Sequence, residues 1–68
     1  MNDIATIHFT DAYSADKSAA VVRSAPGVVG LALSQNSNGD VEVFLSESSA
    51  RELLLALQQA LAKVGNVA

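Results

Sequence analysis

The sequence predicts an α+β domain: a small antiparallel sheet of three or four strands, with one C-terminal amphipathic helix packed on one face. Three observations carry that prediction. Ala50, Leu53, Leu54, Leu57, Leu61 and Val64 recur at intervals of three and four, the spacing of one helical stripe. Val29, Leu31 and Leu33, and later Val41, Val43 and Leu45, alternate with smaller or polar residues in the period of two that marks a strand with one apolar face. Between those two runs stands Ser37-Asn38-Gly39, a cluster of turn-forming residues.

The helix is expected from about Glu47 to Val64. Ser46 can cap it by accepting from the free amides of the first turn, and Ser49 with Glu52 offers a capping box one turn later. Arg51, Glu52, Gln58, Gln59 and Lys63 fall on the polar side. Lys63 suits the negative end of the helix dipole, and Gly65 can end the helix in the left-handed conformation.

The hairpin register follows from keeping both apolar sets on one side. A two-residue Asn38-Gly39 turn would pair Leu33 with Phe44 and put the faces out of phase. A three-residue Ser37-Asn38-Gly39 loop pairs Leu33 with Val43 and Leu31 with Leu45, with Gly39 taking the left-handed position.

Upstream, Ile4 to Thr10 reads as a strand with Ala5, Ile7 and Phe9 on one face, and Asp11 to Lys17 as a turn. Ser18 to Ala25 admits two readings. As a strand, favoured by adjacent Val21 and Val22, it makes a four-stranded sheet; Pro26-Gly27 then sits in a four-residue connection, Ala25 to Val28. As a helix from about Ser14, with Ala15, Ala19 and Val22 inward, it makes βαββα. That second order of elements, with Pro26-Gly27-Val28, resembles the ferredoxin-like heavy-metal-associated domains. Their metal-binding Cys-x-x-Cys is absent here, so the resemblance implies no metal site.

The 68 residues form a single domain, 1–68, and their number bears on function through stability. A chain of 7.0 kDa should expose about 4,000 Å² when folded against about 10,000 Å² unfolded, a burial barely sufficient for independent folding. With no cysteine there is no disulfide staple, and a single histidine cannot anchor a structural zinc site. Oligomerisation is what remains. Half the residues are apolar and the mean hydropathy is +0.31, although twelve alanines account for part of both.

The net charge of −3 rests on only four bases, Lys17, Arg23, Arg51 and Lys63, spread along the chain. Separated bases cannot neutralise a row of phosphates, which argues against a nucleic-acid partner; an acidic chain instead suits a protein with a basic surface. The longest apolar run, Val28 to Leu33, is far short of the ~20 residues a membrane span needs. Met1-Asn2-Asp3 is acidic where a signal peptide is basic, so the expected location is cytoplasmic.

Candidates for chemistry are few. His8, with Asp11 nearby, could act as a general base, but it also fits an exposed strand position alternating with Thr6 and Thr10. Two ligands do not make a zinc site. Asn36, Asn38, Asp40 and Glu47 have a faint calcium-loop spacing, but Val43 to Ser46 read as strand, which keeps the ligands from converging. The serines at the start of the helix could hold an anion, except that Glu47 would repel it. No catalytic residue, metal or cofactor is assigned.

The candidate site is therefore a surface. On the sheet face away from the helix, the register above puts Ala32 directly across from Phe44, with Gly30 beside it; these small residues let another surface approach, with charged Glu42 at the rim. On the helix, Leu55 points about 160° from the apolar stripe at 100° per residue. The expected function is a non-enzymatic interaction or regulatory module working through protein contacts, as a homodimer through one of these patches, preferably the Phe44 face. The alternative is a small-molecule-binding domain with its ligand between sheet and helix or at the dimer seam. Few aromatic and few inward polar residues argue against such a pocket.

Overall fold

The computed structural model describes residues 1–65 and contains four strands followed by one helix: β1 (Asn2–Thr10), β2 (Lys17–Ala25), β3 (Val28–Gln35), β4 (Gly39–Ser46) and α1 (Glu47–Val64). The strands form one antiparallel sheet in the order β1-β2-β3-β4, so every neighbour in sequence is a neighbour in space. This is the α+β arrangement expected, in its four-stranded form. Residues 17–25 are strand, and the βαββα order, with the resemblance that depended on it, falls away. β-Branched Val21 and Val22 favour that outcome, and both neighbours of β2 are long strands that supply its hydrogen bonds.

Three details of the connections differ from expectation. Ala25 pairs directly with Val28, so Pro26-Gly27 is a two-residue turn rather than part of a four-residue one; Gly27 at φ +74° takes the position a side chain would strain. In the β3–β4 hairpin Leu33 pairs with Val41 and Leu31 with Val43, two residues along from the expected partners. A slip of two leaves the faces aligned, because side chains alternate with a period of two. The turn is Asn36-Ser37-Asn38, and Gly39, at φ +79°, opens β4. Finally, Gly65 lies in the right-handed region (φ −76°, ψ −12°) and makes no left-handed cap.

The slip has a cause outside the hairpin. The amide of Asn36 donates to the Lys17 carbonyl (3.3 Å) and the amide of Ser37 to Asp16 Oδ2 (3.0 Å). Gln35 Nε2 donates to Asp11 Oδ2 at 2.7 Å. The β1–β2 connection thus holds the β3–β4 turn. Asp11 organises that connection: its Oδ1 accepts from the amides of Tyr13 and Ser14, both at 2.9 Å, an Asx-turn arrangement. These amide hydrogen bonds, from Ser14 first and then Tyr13, hold the Asp11 carboxyl below its ordinary value.

At the other end Ser46 caps α1 as expected, its Oγ accepting from the Ser49 amide at 3.2 Å. Glu47 and Arg51 pair at 2.7 Å across one helical turn. β4 pairing runs to Ser46 and the helix begins at the next residue, so no linker lies between them. The helix meets the sheet only at β3 and β4. An open cleft at its start is lined by Ala50, Arg51 and Leu54 on one side and Ala25, Val28 and Val29 on the other.

Beyond that corner the helix is bare. No residue of α1 is buried, and no hydrophobic residue of the described chain is buried either. Only Ser18 and Gly30 are. The radius of gyration is 13.6 Å, against about 11 Å for a compact domain of this length. The chain has the secondary structure of a two-layer domain with only sparse contact between the layers.

Candidate functional site

Pairing sorts the strand residues onto two faces, since cross-strand partners point the same way. The inner face carries Ala5, Ile7 and Phe9 of β1, Ala20 and Val22 of β2, Val29, Leu31 and Leu33 of β3, and Val41, Val43 and Leu45 of β4. None of its strand residues is charged, although the same pairing places Ser18, Ser24 and Gln35 on it and Gln35 reaches Asp11 at its margin. This is the face the alternation predicted would meet the helix, yet Ile7, Phe9, Leu33, Val41 and Val43 are all exposed on it. The helical stripe that should cover it is equally open: Leu57 is 55% and Leu61 70% exposed.

The outer face holds the sequence-predicted surface. Gly30 pairs with Phe44, while Ala32 pairs with Glu42. Phe44 therefore stands over Gly30 instead of Ala32, the consequence of the two-residue slip. A Cβ at Gly30 would lie 3.2 Å from Met1 Cε and 3.5 Å from both Arg23 Cβ and Phe44 Cε1, so the space left by the glycine is shared by these three side chains. Phe44 is 59% exposed. Glu42 takes part in an ion-pair chain that sequence reasoning missed: Arg23 Nη1 donates to Glu42 Oε2 at 3.2 Å, and Arg23 Nε lies 3.1 Å from Asp3 Oδ1 without hydrogen-bond geometry. The pair depends on the observed register, in which Arg23 is opposite Asp3 and Gly30, and Gly30 is opposite Phe44, two residues from Glu42. Leu55, about 160° around the helix from the stripe, is 58% exposed.

The structure gives the chemical candidates little to work with. His8 lies on the outer face of β1, paired with Ala19. Asp11 follows Thr10 onto the inner side, and its oxygens are occupied by two amides and Gln35. Asn36 and Asn38 are engaged in turn hydrogen bonds, the latter through Nδ2 to Gln35 Oε1. Among the described residues no group of three or more His, Asp or Glu side chains is placed to share a metal. Among the described residues no helix is long and apolar enough to cross a membrane.

Clefts exist but are shallow. The one between the start of α1 and the β2–β3 turn has a volume of about 320 Å³ and is lined by Val28, Val29, Ala50 and Leu54 with Glu47 and Arg51. Glu47 and Arg51 are exposed and paired with each other through Glu47 Oε2. No family model, curated protein or solved structure matches the chain.

Proposed function

We propose that this chain is a non-enzymatic interaction module that works as a homodimer, a small regulator, inhibitor or adaptor acting through protein–protein contacts. One observation supports it above all. The chain has 5403 Å² of accessible surface where a folded monomer of its mass has about 4,000 Å². A second copy that restored compactness would remove roughly 1,400 Å² from each chain, about 2,800 Å² in total, within the range of obligate dimers. The surface in excess is apolar on both the sheet and the helix, which is the composition such interfaces have.

Assigning the inner face to the dimer leaves the outer face for a target. Phe44 over Gly30, with Ala32 beside it and Glu42 and Arg23 at the rim, has an exposed aromatic in a polar surround, the make-up of a contact centre. With −3 on each chain, the dimer carries 2 × −3 = −6, which favours a partner with a basic surface.

The test is the dependence of melting on concentration. Folding coupled to dimerisation at about 0.7 kcal/mol per residue over two chains gives roughly 95 kcal/mol, hence a melting temperature that rises about 5 °C per tenfold increase in protein. A melting temperature independent of concentration over three decades removes the dimer.

A further inference from the structure

We infer that the dimer forms by reciprocal exchange of helices: α1 of each copy lies across the inner apolar face of the other copy's sheet. The inference rests on the homodimer reading above and adds which surface meets which. Two uncharged apolar surfaces are uncovered in one chain, a sheet face with Leu33 and Val43 and a helical stripe centred on Leu57. Each is what the other's periodicity requires as a cover.

The chain does not bring its own two surfaces together. Ser46 is at once the last strand residue and the helix cap, so α1 leaves the sheet at its corner and meets only β3 and β4, sparsely. Exposure along the stripe then rises from 38% at Leu53 to 70% at Leu61 as the helix runs away from the sheet. A second copy meets no such constraint.

The dimensions match. From Ala50 to Val64 the stripe spans about 21 Å at 1.5 Å per residue. The strands beneath it, eight or nine residues at about 3.3 Å each, run roughly 26–30 Å. Four strands about 4.8 Å apart give a face roughly 14 Å wide, enough for one helix of about 10 Å diameter. The exchange is isologous, so two copies satisfy both sheets and both helices and the assembly closes. Sheets packed face to face would instead leave Leu57 and Leu61 in water on both copies.

The absence of native cysteine makes the test clean. Leu57→Cys and Val43→Cys chains, distinguished by mass, are unfolded together in urea, refolded and treated with a short bismaleimide. Random re-pairing makes about half of the dimers mixed, and exchange links these through helix and sheet while leaving unmixed dimers unlinked. Leu61→Cys with Leu33→Cys carries the same test if the first pair does not refold. Products linking Val43→Cys to itself, or Leu57→Cys to itself, overturn the exchange, as does a Phe44→Cys chain that links to itself. A sedimentation mass of one chain overturns the dimer beneath it; a dimeric mass with no helix–sheet product overturns the exchange alone.

Discussion

Leu57 and Leu55 make a controlled comparison within one helix. They are two residues apart, of the same type, and 55% and 58% exposed in the single chain. If the single chain were the whole folded unit, Leu57→Ala and Leu55→Ala would each cost well under about 1 kcal/mol, as exposed substitutions into a strong helix former do. If the stripe is covered by another copy's sheet, Leu57 becomes a core residue. Its truncation then costs about 2–5 kcal/mol per chain, while Leu55, some 160° around the helix, stays at the surface value. Each dimer contains the substitution twice, so its stability falls by about 4–10 kcal/mol. The assay is urea denaturation followed by circular dichroism, at matched concentrations, for the wild type and both variants. Equal, small losses for both would refute the assignment of Leu57 to a buried interface, and with it the role given to the stripe.

Two further perturbations probe the sheet. Gly39 sits at φ +79° with open space where a Cβ would project, so Gly39→Val should cost about 1 kcal/mol or more through backbone strain alone; an unchanged urea midpoint would contradict the turn geometry. Asp11 titrates below its ordinary value of 3.8, so its turn hydrogen bonds are fully present above that value and are lost as pH falls through the folded-state value. Asp11→Asn should therefore lie below the wild type in melting temperature at neutral pH, and the gap should close below pH 3.8; a gap that is the same at both would show that the carboxylate charge plays no part.

How far the sequence could be read depends on whether the cause is local. The cap at Ser46 and the helix itself follow from residues within a few positions, and both stand in the structure, whereas the Leu57 stripe, expected to be buried, is exposed. The apolar faces of β3 and β4 were legible for the same reason, since alternation alone defines them. Their register was not. Pairing Leu33 with Val43 or with Val41 leaves the same faces aligned, and the choice is made by Lys17 and Asp16, which hold the amides of Asn36 and Ser37 from another connection. The same remoteness hid the Arg23–Glu42 pair and placed Phe44 over Gly30 instead of Ala32.

The stripe itself shows a subtler limit. Periodicity in α1 marks a face that must be buried, and alternation in the sheet marks another, but neither says that the two belong to one molecule. The information on that point lies in the junction. β4 pairing persists to Ser46 and the helix starts at Glu47, which leaves no residue with which to turn the helix back over the sheet. The candidate outer surface was legible as composition, with Phe44 among small neighbours, and its detailed arrangement depended on the register.

The claim underlying all of this is that one chain lacks a core and a second copy supplies it. Sedimentation equilibrium of the wild type, from high concentration down to the lowest that absorbance or fluorescence can follow, addresses it directly. A folded species at twice 7.0 kDa, dissociating only together with loss of its circular dichroism signal, is the expected result. A species that stays at 7.0 kDa, folded and cooperative in urea, would contradict it.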